Sequence, residues 1–299
     1  MKLRVAAPLL LGLLAACGPE AGVGAPGTNP AGRRDVRTAA TSRLVPDGYA
    51  GRYQADGILV LEDASHGPEM CAYQLDSDPP QCRGPDLVGW SWARVKYSSG
   101  DRTRWGHYRI TGRFQGTKFT VTEVADPGAP DVTPRPAKRR GDETPCPEPR
   151  GGWKPIDPAR ATDAAMQAAS ALAQRSPDYA GLWIDQGQFV TEATANDPGK
   201  FILNVSFTGD VAGHTARLRE VWGGALCVSQ VRYTEAQLVS IQKAVTESLP
   251  GGASSDIDVY ANRVMFRAWA AFERNQKELD ARYGAGAVVL TGVLRPIDQ

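Results

Sequence analysis

One short pattern decides the fold of the second half of the chain, and it reads Leu218-Arg219-Glu220-Val221-Trp222-Gly223-Gly224. A second copy, Leu279-Asp280-Ala281-Arg282-Tyr283-Gly284-Ala285, begins 61 positions later. Large apolar residues at i and i+4 indicate the end of an amphipathic helix, and the glycine that follows ends that helix. A Val-rich strand comes next in both places, with one extra residue before it in the second copy. The pattern therefore predicts two related helix–strand segments.

Predicted strands flank each copy of this pattern. They are Phe201–Phe207 and Leu226–Tyr233 around the first copy, and Asp258–Trp269 and Val288–Leu290 around the second. An additional strand is predicted before them, at Leu182–Thr194. Strand–helix–strand units with parallel strands are connected by right-handed crossovers. Two such units joined by a helix predict an open α/β sandwich of ferredoxin-like type over residues 161–299.

Two further helices are predicted in this region. Thr234 and Gln237 have the spacing of a capping box, and an apolar stripe at helical spacing follows them. Thr162–Arg175 is rich in alanine, the residue with the highest helix propensity, and Ser176-Pro177 ends it. The second half therefore combines helices with strands.

The first half has the pattern of a small β domain, which we place at residues 44–126. Short strands with period-two alternation are predicted there, the last two joined by a Gln115-Gly116 turn: Gly57–Leu61, Met70–Leu75, Leu87–Trp92, Arg104–Phe114 and Lys118–Val124. About five short strands in about 80 residues predict a small antiparallel barrel or sandwich, which we expect to be OB-like. The predicted fold class of the whole chain is thus α+β.

The segments between and before these domains are low in large apolar residues or dense in proline. Residues 127–160 form a Pro-rich linker that we take as the domain boundary, with Lys138-Arg139-Arg140 at an exposed point of it. Residues 18–43 are rich in Gly, Ala, Pro and Thr and cannot bury enough surface to order themselves. We therefore expect residues 18–43 to be a flexible tether.

The first 17 residues have the composition of an export signal. Lys2 and Arg4 precede Val5–Ala16, an apolar run of about 12 residues that is too short to span a bilayer. Leu14-Ala15-Ala16-Cys17, at the end of this run, resembles the lipobox of bacterial lipoproteins. That resemblance implies cleavage before Cys17, acylation of its sulfur (as with palmitate) and anchoring to the extracytoplasmic face of the membrane. The alternative is an ordinary secreted protein in which this cysteine has no such role.

Composition excludes some kinds of partner. The 299 residues are 42% hydrophobic and 22% charged, which is enough apolar material for cores. The formal net charge is only +1, whereas nucleic-acid binding needs a concentrated basic face. We therefore expect no nucleic-acid partner.

Four cysteines remain if Cys17 carries lipid: Cys71, Cys82, Cys146 and Cys227. An even number in an exported chain predicts two disulfides, for which three pairings are possible. Cys71 and Cys82 are close in sequence with a turn between them, so they are the expected pair, and Cys146 with Cys227 follows by elimination. Zinc is not expected, because there is no Cys-x-x-Cys and the three histidines are scattered.

No catalytic motif is recognisable, so we predict neither an enzyme nor a cofactor. The histidines His66, His107 and His214 are interpreted as surface or helix-cap residues. Two acidic pairs, Glu62-Asp63 and Asp76 with Asp78, lack the ligand spacing of a calcium loop.

Two other features have both a functional and a structural interpretation. Trp90, Trp92 and Trp105 could form a stacking platform for a ligand, although packing in a core is the favoured interpretation. Asn204-Val205-Ser206 is formally a glycosylation sequon, but it lies in the middle of a predicted strand. We therefore assign no function to either feature.

Part of the second half resembles a known family. Tyr179–Asp185, Arg232–Leu238 and Asn262-Arg263-Val264 look like segments in the prodomains of α-lytic-protease-type secreted serine proteases, and the likeness covers about residues 179–296. In that family the prodomain helps the protease to fold and then blocks its active site. No protease domain follows within these 299 residues, so the resemblance implies action in trans.

The mature chain is also similar to uncharacterised lipoproteins of actinobacteria. The residues that carry this likeness are Pro79–Cys82, Gly89–Trp92, Cys146-Pro147 with Gly151–Trp153, and Trp222–Val228. The likeness implies both cysteine pairings and no particular activity. The sequence thus predicts a non-enzymatic, membrane-anchored envelope lipoprotein that binds another envelope component. The alternative is a prodomain-like inhibitor or folding helper.

Overall fold

The computed structural model describes residues 44–72, 77–127, 143–187, 195–249 and 251–298. Helices make up 24% and strands 36%, which confirms an α+β fold. Within those ranges no helix is long and apolar enough to cross a membrane. The predicted leader and tether, residues 1–17 and 18–43, lie outside the described residues.

Six strands and one 3-10 turn form the N-terminal part. The strands are β1 Tyr53–Glu62, β2 Glu69–Cys71, β3 Asp86–Val88, β4 Ser98–Gly100, β5 Thr103–Gln115 and β6 Lys118–Ala125, and the 3-10 turn is Trp92–Arg94. In β5 the inward-facing Tyr108 and Ile110 are almost fully buried, as expected from alternation along a half-buried strand.

Five of these strands close into a barrel in the order β1-β2-β3-β6-β5, with β5 pairing back to β1. Every pairing in the ring is antiparallel except that of β3 with β6, which is parallel. The prediction of a small barrel is confirmed, but its purely antiparallel form was wrong. The chain reverses between β4 and β5 and again between β5 and β6, so β6 runs in the direction of β4. Because β3 has that same direction, it pairs with β6 in parallel.

The barrel core includes residues from the far end of the chain. Trp269 and Leu294 are 6% and 1% exposed and pack in the same cluster as the barrel residues Met70, Ile110 and Phe119. Gly84 lies so close to Trp269 that a Cβ there would be 2.8 Å from the indole ring. A two-residue strand, β13 Arg295–Pro296, then pairs with the start of β1. The barrel is therefore completed by residues far from it in sequence.

The rest of the described chain contains two units with the same order of elements. The first unit, residues 163–230, consists of α1 Asp163–Gln174, β7 Tyr179–Asp185, β8 Ile202–Phe207, α2 Val211–Val221 and β9 Ala225–Gln230. The second unit, residues 235–292, consists of α3 Glu235–Ser248, β10 Gly252–Asp258, β11 Arg263–Ala268, α4 Glu273–Tyr283 and β12 Val288–Gly292. Each is an αββαβ arrangement.

In each unit an antiparallel hairpin is followed by a helical crossover to a parallel strand. The sheets have the orders β7-β8-β9 and β10-β11-β12. The predicted caps are present, since Thr162 caps α1 and Thr234 with Gln237 forms the capping box of α3. The ferredoxin-like sandwich expected over residues 161–299 is not confirmed, because the strands there pair as two three-stranded sheets. Each hairpin closes locally and each crossover helix returns to its own sheet.

Part of the Pro-rich segment packs against the first unit. Cys146 is bonded to Cys227 of β9, and Trp153 lies against Ile202 and Ala225 on one face of the sheet. The Glu143 carbonyl accepts a hydrogen bond of 2.9 Å from the indole of Trp183. This sheet is therefore covered by helices on one face and by the proline-rich segment on the other.

Candidate functional site

A cavity of about 310 Å³ lies in the first unit, between the end of α1 and the start of α2. Its wall is mainly apolar, with two arginines and one histidine: Leu172, Ala173, Arg175, Ser176, Pro177, Phe207, His214, Arg217 and Leu218. Cavities of this size accommodate small organic ligands. We therefore treat it as the candidate functional site.

The start of α2 places His214 in the wall of this cavity. Asp210 takes a left-handed conformation, with φ of 43°, and its carboxylate caps the helix by accepting from the Gly213 N–H at 3.1 Å. His214 then lies on the same helix face as Leu218, one turn further on. Its ring stacks on Phe207 from β8, with centroids 3.6 Å apart and planes inclined by 3°. The imidazole is thus held flat and is only 6% exposed.

Both ring nitrogens of His214 have partners. Nε2 lies 2.8 Å from Oδ2 of Asp178, and Nδ1 lies 3.0 Å from Nη2 of Arg217. A guanidinium can only donate, so Nδ1 must accept and Nε2–H must donate to Asp178. Hydrogen-bond chemistry therefore assigns a neutral imidazole with its proton on Nε2.

Asp178 is the anionic end of this network. Burial opposes its ionisation, but hydrogen bonds from the Ser176 hydroxyl (2.6 Å) and from His214 outweigh burial and lower the pKa of Asp178 below its ordinary value. At the other end, Arg217 lies 3.3 Å from Asp210, and both side chains are at least half exposed. The network therefore runs from a firmly ionised carboxylate to a loosely held arginine.

This arrangement is suited to holding a ligand. A hydrolase of the serine type needs a hydroxyl bonded to the histidine, but the Ser176 hydroxyl donates to Asp178 instead. The apolar wall suits the body of a ligand, and Arg175 and Arg217 suit an anionic group. Among the described residues no group of three or more His, Cys, Asp or Glu is placed to hold a metal ion.

Sequence reasoning was wrong about His214, which we expected to be a surface or cap residue. The missed signal is its spacing, because His214 precedes the buried Leu218 by four residues and so extends the apolar stripe of α2. Asp178 carried no comparable signal, since it lies 36 positions away from its partner. His66 and His107 are exposed.

His66 lies beside a buried carboxyl group on the barrel. Its Nε2 is 3.4 Å from Asp86, and Glu69 on the adjacent strand is 3% exposed and accepts from the Gly84 N–H at 2.9 Å. Burial raises the pKa of Glu69, and the Gly84 hydrogen bond only partly offsets that effect. Asp63 accepts hydrogen bonds from Ser65 and from the His66 N–H, which forms a local turn.

The three tryptophans do not form one platform. Trp92 is 7% exposed and lies in the barrel core, with Trp90 edge-on to it at 5.4 Å between centroids. Trp105 instead packs with Leu59, Leu61 and the Cys71–Cys82 pair in a separate cluster. Core packing, the favoured interpretation, is therefore confirmed for Trp92.

Both predicted disulfides are present. Cys71 pairs with Cys82 and Cys146 pairs with Cys227, with Cα atoms 5.6 Å and 5.7 Å apart. Asn204 is fully buried and its side-chain amide donates to the Ile202 carbonyl, so the sequon is not accessible in the folded protein. The predicted lipid attachment residue Cys17 lies outside the described residues, as do Asp76 and Lys138–Arg140.

Comparison with known proteins assigns no family to this chain. No protein-family model matches it, and no curated protein matches it. The geometry of the cavity and the sequence patterns are therefore what supports a function.

Proposed function

We propose that this chain is a lipid-anchored, extracytoplasmic protein of the cell envelope that binds a small ligand in the cavity beside His214. The observation that carries the proposal is a cavity of about 310 Å³ whose histidine is fixed by stacking on Phe207 and by bonds to Asp178 and Arg217. A preorganised, mainly apolar cavity with a few fixed polar groups is typical of small-molecule sites.

The two disulfides support an extracytoplasmic location. Disulfides form and persist in oxidising compartments outside the cytoplasm, and all four cysteines of the described residues are paired. The export signal and the lipobox-like Leu14–Cys17 agree with that compartment. A membrane anchor through Cys17 would keep the binding cavity at the extracytoplasmic face.

The location is tested with Cys17→Ala in the full chain, using Gly18→Ala as the matched control because it leaves the cysteine in place. We expect the first variant to leave the membrane fraction and the second to stay there. Fractionation with radiolabelled palmitate incorporation measures both steps. Retention of Cys17→Ala in the membrane would contradict the anchor.

A second candidate function is a prodomain-like inhibitor or folding helper of a secreted serine protease, acting in trans. What favours it is a link between two of the segments that carry the resemblance. Asn262, 7% exposed, accepts hydrogen bonds from the N–H groups of Arg232 and Tyr233 and donates to the Tyr233 carbonyl, at 2.8 to 3.1 Å. The full chain should then slow such a protease at micromolar concentration, and no effect would remove this candidate.

A further inference from the structure

The network around His214 connects two carboxylates through the neutral imidazole and the Arg217 guanidinium. Asp178, His214, Arg217 and Asp210 follow one another at 2.8, 3.0 and 3.3 Å. The imidazole is neutral in this arrangement because Arg217 donates to its Nδ1. A negative group placed between His214 and Arg217 would allow the imidazole to become positive, since it would then lie between two anions.

Arg217 can leave its present partners at little cost. Its side chain is 50% exposed, and the Asp210 carboxylate to which it is paired is 62% exposed, so their ion pair is weakened by water. Arg175, also exposed at the end of α1, pairs with no carboxylate among the residues that the structure describes. The cavity thus has two guanidinium groups at its rim that an incoming anion could engage.

We propose that the ligand of this cavity is a small carboxylate with an apolar body, and that its binding transfers Arg217 from His214 to the carboxylate while His214 takes up a proton. The hydrogen bond from Arg217 to Nδ1 breaks. One proton from solvent adds to Nδ1, and the new N–H donates to the ligand. The Nε2–H bond to Asp178 stays. This inference rests on the proposed ligand-binding function and defines the class of its ligand.

The other charged groups around His214 do not take up the proton in its place. Asp178, preceding β7, stays ionised because its lowered pKa keeps it a carboxylate near neutral pH. Arg175, directly after α1, and Arg217 on α2 stay cationic. Asp210 faces Arg217 from the start of α2, and β8 contributes the uncharged Phe207. An imidazole is the side chain that changes charge between about pH 5 and about pH 8, so binding of the carboxylate should tighten as the pH falls.

The test uses the full chain in detergent with three probes: phenylacetate, its neutral amide phenylacetamide, and acetate. We expect phenylacetate to bind at least about tenfold more tightly than phenylacetamide, because a charged hydrogen bond of this kind is worth that much. It should also bind more tightly than acetate, because acetate has no apolar body to bury. Calorimetry in Bis-Tris and in Tris, two cationic buffers of different ionisation enthalpy that do not compete for the arginines, should show uptake of up to one proton per ligand. Binding should be tighter at about pH 6 than at about pH 8.

Variants separate the parts of the proposal. Arg217→Gln, at an exposed position, should weaken phenylacetate binding by about tenfold, whereas the control Lys243→Gln on α3, 76% exposed, should leave it unchanged. His214→Gln should abolish the buffer dependence. If this buried substitution unfolds the chain, the wild-type protein in the two buffers still decides the proton step.

Three outcomes would overturn the inference. Equal binding of phenylacetate and phenylacetamide would show that the cavity binds a ligand without recognising its carboxylate. Phenylacetate binding without any difference between the two buffers would remove the proton uptake. Failure of all three probes to shift the resonances of the cavity residues at millimolar concentration would overturn the ligand-binding function itself.

Discussion

The first and second αββαβ units have the same elements in the same order, and their crossover helices α2 and α4 are both 11 residues long. The buried leucines of these helices, Leu218 and Leu279, correspond at the 61-residue spacing of the repeated pattern. The strands before them, β8 and β11, also correspond at that spacing. The two units thus share the order of their elements and the buried leucine of the crossover helix.

The residues of the cavity differ between the units. At the same spacing, the second unit has Ala268 in place of Phe207, Asn275 in place of His214 and Glu278 in place of Arg217. The aromatic base, the imidazole and the cation are all replaced. The candidate site is therefore made of residues that differ between the two units, although both units have the same order of elements.

The units also differ in what holds them to the rest of the chain. The first is joined by the Cys146–Cys227 disulfide to the proline-rich segment. The second leads directly into the barrel core through Trp269 and Leu294. Each unit should therefore be destabilised by a different substitution.

The largest expected effect is from removing the disulfide of the first unit. Cys146→Ala with Cys227→Ala opens a separation of 81 residues, which the chain-entropy model equates with about 4.5 kcal/mol of unfolding free energy. The control pair Cys71→Ala with Cys82→Ala opens a separation of 11 residues and should cost about 3 kcal/mol. In the Cys146/Cys227 variant, hydrogen exchange should show loss of protection in β7–β9. An equal loss in β10–β12 would contradict the idea that the two units are attached independently.

A second comparison uses the matching aromatic residues that end α2 and α4. Trp222 is fully buried, stacks on Phe201 at 5.8 Å and donates its indole N–H to the Ala225 carbonyl. Trp222→Ala should therefore cost about 4 kcal/mol. The matched variant Tyr283→Ala, at a partly buried residue, should cost about 2 kcal/mol. Urea unfolding of both measures the difference, and equal costs would mean that the two units pack equally tightly.

The smallest expected effect concerns the ionised end of the His214 network. Because the pKa of Asp178 is lowered in the folded protein, its carboxylate adds stability above the unfolded-state pKa, and this is lost as pH falls through the folded-state pKa. Asp178→Asn should thus cost about 1 kcal/mol at neutral pH, and its difference from wild type should vanish in acid. The control is Asp256→Asn, at an exposed position of the second unit. A difference that stays constant with pH would contradict the ionic role of Asp178.

Local patterns in the sequence predicted most of the fold. The capping residues Thr162 and Thr234, the alternation along β5 and the repeated helix–glycine pattern all depend on neighbours close in sequence. The disulfides were predictable because only four cysteines had to be paired. The separation into two sheets was not predicted, since the pattern of a strand does not specify whether it pairs within its own unit or with a strand of the other unit.

The candidate site was harder to predict for the same reason. His214 contacts Asp178, which lies 36 positions away in the sequence. The role of Arg217 as a hydrogen-bond donor to His214 is visible only in the structure. A lone histidine on an apolar helix face is compatible with either a core or a surface position. The structure decides between them because Phe207 lies beneath the ring.

Because distant parts of the chain share the barrel core, the order in which they are synthesised affects when the barrel can fold. A ribosome finishes β1 to β6 by residue 125, while Trp269 and Leu294 follow about 150 residues later. At about 5 to 20 residues per second, that delay is roughly 7 to 30 seconds. During this interval the inner surface of the barrel strands lacks these partners. The barrel, although translated first, should therefore be among the last parts of the protein to reach its final form.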